Sequence, residues 1–310
     1  MEIKSLIRSQ SIRHKLMRIG KFLPDRIMLS LQYKLITHRW PNFKTPKRFT
    51  EWIQVYKMTY RNPTLLDCVD KYTVRQYVTS KLGGVNLTIL YQVCENAEAI
   101  NLTNLPEKFV IKTTSGGNGD NVLIVKDKST LNMGEMVQTV NGWLSKNYSN
   151  TAREWAYKKA ANHPRIIVEE YLENNIEEGL DDYKFLCYNG KFRYLWIDKG
   201  RYSNHRRGFW DENLKFLDYV KSDHPSFNDE PELPSNILSM ITVAEKLASD
   251  FPFVRVDLYN INGRIVFGEL TFYPWSGYVK FEPDEFDFSL GRFFPKTEEK
   301  IWTKYILAGK

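Results

Sequence analysis

Residues 254–271 read VRVDLYNINGRIVFGELT: two strand-like runs about a short turn, each carrying one carboxylate, Asp257 and Glu269, among apolar neighbours. A charge inside a strand core is unfavourable unless a counter-charge pairs with it. The stretch therefore demands a cation. Loop length decides which side chains share a face. A loop of two or four residues would set Asp257 and Glu269 on opposite faces. A three-residue loop, Ile261-Asn262-Gly263, closes Asn260 on Arg264 and puts Gly263 where a left-handed residue is preferred. That register sets Arg255 opposite Glu269 and Asp257 opposite Phe267. Asp257 and Glu269 become diagonal neighbours on one face, roughly 7–8 Å apart at Cα, and Thr271 continues that face. Two cations answer the demand. A hard divalent ion such as Mg²⁺ suits carboxylates on a rigid hairpin, with nucleotide phosphates completing its shell. Alternatively, Arg255 neutralises both acids.

The chain has 310 residues, 42% of them hydrophobic, enough for one large domain or two coupled ones. It contains no apolar run of spanning length and no signal-peptide pattern, since Lys4, Arg8, Arg13 and Lys15 interrupt the N-terminus. Cys68, Cys94 and Cys187 are scattered without metal-ligand spacing, which suits a reduced, cytoplasmic setting. The net charge of +7 is uneven: residues 1–50 carry twelve Lys/Arg against Glu2 and Asp25, net +10, and leave −3 for the rest. A local basic face of this kind fits an anionic membrane surface, or is a solvated helix pair; nucleic acid is not expected.

Residues 1–62 read as a basic helical segment punctuated by Pro24, Pro41 and Pro46. A helix over 64–82 stops at Gly83-Gly84. Strands follow at 85–91, 108–114 and 121–127, then helices at 130–147 and 151–161, a strand at 165–172 and a hairpin over 184–198 about Asn189-Gly190. Ser235 is placed to cap a helix ending near Ser249. This mixture lacks regular βαβ alternation and predicts an α+β fold with antiparallel sheets. The boundaries read as 1–62, 63–172 and 173–310.

FVIKTTSGGNGDNVLIV supplies a strand lysine, Lys112, followed by Gly116, Gly117 and Gly119, whose backbone amides can approach a phosphate without a Cβ in the way. The pattern is neither a P-loop nor a Rossmann turn. The strand IIVEEYL (166–172) ends in acids, and Lys184 and RYSNHRR (201–207) add cations. The five histidines have no metal-like spacing, and no Ser/His/Asp or Cys/His constellation appears.

Five stretches in order, RNPTLLDCVDKYTVRQYV, FVIKTTSGG, IIVEEYL, DDYKFLCYNGKF and VRVDLYNINGRIVFGELTFYPWSG, resemble the ATP-grasp superfamily, and more closely its TupA-like group of bacterial surface-polysaccharide gene sets. The resemblance runs from about residue 41 to 295. It implies two α+β subdomains gripping ATP. Lys71 and Lys112 would contact the phosphates beneath the Gly116, Gly117 and Gly119 loop, and Glu169, Glu170 and Leu172 would line adenine and ribose. Lys184 would lie near the γ-phosphate, Arg255 near the transferred phosphoryl group, and Asp257, Glu269 and Thr271 would hold one or two Mg²⁺ ions. Thr271 stands where the superfamily has Asn or Asp, which weakens a second metal site. Arg201, His205, Arg206, Arg207, Ser276 and Gly277 are candidate substrate contacts. The implied activity is an ATP-dependent carboxylate–amine ligase joining an amine or amino acid to a sugar acid of a capsule or O-antigen precursor, at or near the inner membrane face. Rival readings are a glycosyltransferase, a phosphotransferase on the same scaffold, and a non-catalytic ATP-binding protein.

Overall fold

The computed structural model describes residues 22–116, 121–145, 152–173, 179–200 and 203–295. Gly117, Gly119, Arg201 and the first 21 residues of the basic segment lie outside the described residues.

Two antiparallel sheets organise the chain. The first contains β1 (Leu90–Cys94), β2 (Phe109–Thr113), β3 (Val122–Val125) and β4 (Ile166–Glu170) in the order β1-β4-β2-β3. The period of two along β2 sends Phe109 and Ile111 to one face, where they meet Met136 and Val140 of helix α5 (Met133–Leu144). Lys112 and Val110 therefore occupy the opposite face. The second sheet contains β5 (Asp182–Tyr188), β6 (Lys191–Lys199), β7 (Arg206–Trp210), β8 (Phe253–Ile261) and β9 (Arg264–Thr271), ordered β7-β6-β5-β8-β9. One of its faces buries Phe185, Val254 and Val256 with Met240, Ala244 and Leu247 of α7 (Ile237–Ala248) in the larger core.

Further helices are α1 (Asp25–Thr37), α2 (Phe49–Thr59), α3 (Thr64–Val69), α4 (Val74–Leu82), α6 (Trp155–Ala160) and α8 (Glu285–Gly291). The sequence groups the 64–82 segment with the first sheet. Instead, Leu65, Cys68, Val69, Val74 and Val78 pack into the larger core. The segment is also two helices rather than one. At the break Asp70 is extended (φ −90°, ψ 127°), and its Oδ1 accepts the backbone N–H groups of Tyr72 and Thr73 at 2.9 Å each. Side-chain competition for backbone donors thus interrupts the helical ladder. Strand pairing begins at Leu90 rather than Val85, because the preceding residues cap the edge of β9: Asn86 O accepts from Phe267 N at 2.6 Å. Asn236, not Ser235, is the N-cap of α7, and its side chain is spent on Asn260 and the Gly263 carbonyl. All three cysteines are buried and free of disulfides.

The β8–β9 hairpin corrects the expected loop. It has two residues, Asn262 (φ 51°) and Gly263 (φ 89°), a left-handed pair that matches strand twist, and Ile261 pairs with Arg264. Continued regularly, that register would send Asp257 and Glu269 to opposite faces. It does not continue. Leu258 pairs with Phe267, but Asp257 pairs with Glu269, so Gly268 is an extra residue in β9. The bulge restores the shared face and places the two acids directly opposite rather than diagonal. Arg255 pairs with Thr271, not Glu269.

A Cβ at Gly268 would lie 3.1 Å from the Asp257 carbonyl oxygen and 3.2 Å from Tyr259 Cε2. Gly268→Val is expected to destabilise the fold by about 1–3 kcal/mol, within the range for overpacking. Thermal unfolding checks this; an unchanged melting temperature would show that the bulge does not need glycine.

Candidate active-site cleft

Directly paired strand residues share a face, so the registers assemble the site. Across the second sheet one row reads Trp196–Lys184–Asp257–Glu269. The row on one side is Arg207–Asp198–Asp182, and on the other Leu186–Arg255–Thr271. Four carboxylates and three cations thus interleave on one sheet face. The β5–β6 hairpin carries its own register shift between Leu186 and Cys187, which keeps Asp182 opposite Asp198.

Arg255 is the central cation. Its Nε donates to Asp257 Oδ1 at 2.6 Å, while Nη2 donates to Asp257 Oδ2 at 2.6 Å, Glu269 Oε1 at 2.7 Å and Thr271 Oγ1 at 2.9 Å. Burial works against its charge, but Asp257 and Glu269 raise its pKa further. Lys184 sits behind Asp257, 3.0 Å from Oδ2, in contact with Asp182 and 3.9 Å from Asp198 Oδ2. It is 5% exposed, so it braces Asp257 from below instead of meeting the cleft, as a group facing a γ-phosphate would. Thr271 donates its hydroxyl to Glu269 Oε1 at 2.7 Å, which orients that carboxylate.

The two paired acids are driven apart. Burial raises Asp257 to about 6 against the pull of Arg255 and Lys184. Burial also pushes Glu269 up, but the charge of Arg255, the Thr271 hydrogen bond and the lysines at 184 and 71 outweigh it and bring Glu269 down to about 2. Glu269, enclosed by charged neighbours, still keeps 45% of its side chain accessible because it faces the cleft.

The cleft has a volume of about 1000 Å³ and its walls come from both sheets. From the first sheet's side come Lys71, Ser115, Gly116 and Asn121; Arg255, Glu269 and Thr271 lie across from them. The break at Asp70 delivers Lys71: its N–H donates to Thr114 O at 2.9 Å and its Nζ to Gly116 O at 2.6 Å. Burial, and then the nearby charge of Lys112, lower Lys71 to about 8. Lys112 contacts Glu169, whose other oxygen accepts from Thr88 Oγ1 at 3.2 Å. Glu170 turns elsewhere, to Arg264 at 2.7 and 3.0 Å, tying β4 to the hairpin tip, and Leu172 is half-buried just beyond β4.

At the other end Ser222, Asp223, Trp275, Ser276, Tyr278 and Lys280 line the wall. Arg207 is buried and committed to Asp198 (Nε–Oδ1 2.6 Å) and Asp223, with its guanidinium 5.2 Å from the Trp275 ring centre. Arg207, helped by Lys184 and His205, overcomes burial to hold Asp198 well below the carboxylate range. His205 lies 3.1 Å from Asp198 Oδ1 and stacks on His224 at 3.7 Å between ring centres. Arg206 faces away, to Ser226 O and Asn228 Oδ1. Trp275 (φ 49°), Ser276 (φ 55°) and Gly277 (φ 70°) form a left-handed turn. It is clamped by Gln54 Nε2 on the Ser276 and Gly277 carbonyls (3.0 and 2.9 Å) and by Lys57 Nζ on Ser276 O and Oγ (2.7 and 2.8 Å). Ser276 Oγ donates to Glu154 Oε1 at 2.5 Å, and burial lowers Lys57 to about 8.

The sequence analysis missed Asp182, Asp198, Lys57 and Glu154 as parts of this wall. The first two carry a readable signal, charged residues at alternate positions in otherwise apolar strands. Lys57 and Glu154 carry none, because only tertiary packing joins them.

The family model for TupA-like ATP-grasp proteins matches residues 51–295. No curated protein matches the chain. Among solved structures, D-alanine–D-alanine ligase from Bacillus anthracis is 17% identical with a TM-score of 0.45, covering 82% of this chain and 74% of its own. The same enzyme complexed with ATP is 15% identical at a TM-score of 0.47, over 83% and 76%. L-amino acid ligase from Bacillus licheniformis is 13% identical at 0.43, over 88% of this chain and 57% of its own. With the family model spanning both sheets, the chain belongs to the TupA-like ATP-grasp family and has the ATP-grasp fold.

Proposed function

We propose that this ATP-dependent ligase joins an amine or amino acid to a sugar acid of a bacterial surface-polysaccharide precursor, through an acyl phosphate. The observation that carries the reading is the pair of facing walls: Lys71 and Gly116 on one side, Arg255, Glu269 and Thr271 on the other, with Asp257 buried behind Arg255. Phosphoryl transfer needs little covalent help from a protein; positioning and neutralisation of charge do most of the work. An acceptor carboxylate attacks the γ-phosphorus, ADP leaves, and the acyl phosphate forms. The amine then attacks the acyl carbon, phosphate departs and the amine proton is lost. No nucleophilic side chain is required.

In this reading Lys71 and Lys112 neutralise the phosphates, and Gly116 lets its backbone approach them. Glu169 and Leu172 border the nucleotide, while Glu170 serves the hairpin. Arg255 faces the transferred phosphoryl group. Lys184 is a positioning residue: it holds Asp257, which fixes the guanidinium of Arg255. Among the described residues no group of three His, Cys, Asp or Glu can hold a metal by itself, so a metal here relies on two acids and the nucleotide. Glu269 fits that role, since its Oε2 has no partner among the described residues and its side chain faces the cleft, whereas both Asp257 oxygens are held by Arg255 and Lys184, so Asp257 would have to exchange one of those contacts for the metal. Mg²⁺, held by Glu269 with Asp257, would neutralise charge on the phosphates. Thr271 orients Glu269. The acceptor would lie toward Trp275, Ser276 and Tyr278, with Arg207 and His205 shaping the wall behind.

The test is turnover of ATP and Mg²⁺ with panels of uronic acids and amines, reading ADP release and amide mass. ATP binding without turnover on any uronate acceptor, or phosphate retained on the acceptor, would overturn the proposal. Glu269→Gln and Asp257→Asn should lower turnover by about 10²–10³-fold, and weaken ATP binding more with Mg²⁺ than with chelator. An equal loss under both conditions would make the acids purely structural.

Lys71 supplies a pH test. Phosphates raise its pKa from about 8, so binding at pH 8–9 takes up a proton. ATP affinity should be flat well below pH 8 and fall by up to about tenfold per unit above it. Titration calorimetry in buffers of different ionisation enthalpy measures the uptake; Lys71→Arg should abolish it. No uptake in the native protein would place Lys71 away from the phosphates.

A further inference from the structure

Helix α1 is anchored on one side, and on the other it is bare among the described residues. Leu29 and Tyr33 are buried, Tyr33 Oη lies 2.8 Å from Thr50 Oγ1, and Tyr278 Oη donates to Gln32 Oε1 at 2.7 Å. The opposite face presents Ile27, Leu31 and Leu35, spaced by four and exposed by 48%, 40% and 51%. Residues four apart stack along one side of a helix, so these three form a ridge. Phe22 and Leu23 extend it at one end and Trp40, 61% exposed, at the other. The ridge is set among cations: exposed Arg26, and Lys34, whose Nζ lies 5.9 Å from the Trp40 ring centre. Residues 1–50 as a whole carry net +10. Among the described residues no helix is long and apolar enough to cross a membrane.

We infer that the Ile27–Leu31–Leu35 face of α1 is an interfacial docking ridge that seats this protein on an anionic lipid surface. An apolar stripe flanked by basic residues buries its hydrocarbon at the headgroup boundary while its cations meet lipid phosphates. A second copy fits poorly, since two-fold pairing through this ridge would press together two copies of residues 22–50, which carry six Lys/Arg against Asp25. The seating has a geometric consequence. Ile36, at the end of α1, lines the cleft, and Tyr278, bonded to Gln32, lines its acceptor end. A bilayer under α1 therefore lies beside that end of the cleft. The inference stands on α1 alone and does not require the ligation reading.

The experiment is co-sedimentation of the full chain with phosphatidylcholine vesicles, alone and mixed with phosphatidylglycerol. The native protein is expected to bind the mixed vesicles only, with loss in high salt. The double variant Leu31→Glu/Leu35→Glu should bind at least tenfold less at equal lipid, with unchanged melting temperature, oligomeric state and nucleotide affinity. Absence of binding by the native protein, or equal binding by the variant, overturns the proposal. A variant that changes oligomeric state would assign the ridge to a second copy, and one that melts markedly lower would show that the chain covers this face itself; either outcome overturns it.

Discussion

The second sheet is organised around the guanidinium of Arg255, largely enclosed at the wall of the cleft. Arg255 bridges carboxylates on two adjacent strands and is itself sheltered by the Trp196 ring, whose centre lies 5.0 Å away. Buried ion pairs rarely stabilise a fold beyond what apolar packing would achieve, yet removing one partner is strongly destabilising. The arrangement is therefore better understood as a device for holding acids at the cleft. Of seven charged side chains interleaved on the strands, four are acids (Asp182, Asp198, Asp257, Glu269) and three are cations (Lys184, Arg207, Arg255). The face is one positive charge short. The acid at the end of its row, on edge strand β9, is Glu269, which faces the cleft. A cation arriving with a nucleotide would find the residual charge there.

The opposite wall has the reverse imbalance. Lys71 is weakened as a charge by burial and then by the nearby Lys112, and Glu169 answers only part of this positive charge. Lysines crowded in a low-dielectric cleft favour an anion between them. One wall short of positive charge and the other short of negative charge together suit a metal–polyphosphate. Neither wall alone would specify it.

Much of this was legible in the sequence, and the exceptions share a cause. Lys112 and the glycine after it, the alternating strands and the Asn-Gly hairpins all announce themselves through local chemistry. The shared face of Asp257 and Glu269 was reached by the wrong route: Asn262-Gly263 favours a two-residue loop, and the missing residue is a bulge at Gly268. A bulge leaves little local signature beyond a glycine in a strand. The helix over 64–82 has apolar periodicity throughout; the Asp70 side chain breaks it by taking the Tyr72 and Thr73 N–H groups, and the long-range contact of Lys71 N–H with Thr114 O, just past β2, holds the break open. The family resemblance sets Lys184 near the γ-phosphate, and the sequence shows it only as a further cation beside Asp181 and Asp182. Its anions in the fold are Asp182 and two aspartates, Asp198 and Asp257, that only strand register could bring to it.

The turn at 274–277 shows how the helical layer reaches the chemistry. Chain leaving Thr271 enters three successive left-handed residues, and two of them are not glycine. Such conformations cost about 1–3 kcal/mol each and persist only when their surroundings determine them. The determinants are Gln54 and Lys57, three apart on α2 and hence on one side of it. They take the turn's carbonyls, while Glu154 takes the Ser276 hydroxyl. Gly277 admits no side chain, because a Cβ there would lie 2.4 Å from Gln54 Nε2 and 2.8 Å from Ile53. The turn, α2 and Glu154 are joined into one hydrogen-bonded assembly at this end of the cleft. Trp275, held within it 4.1 Å from the Trp196 ring centre, joins that assembly to the arginine lattice on the sheet. The turn's conformation is thus fixed from helix α2, through Gln54 and Lys57, at one end of the cleft.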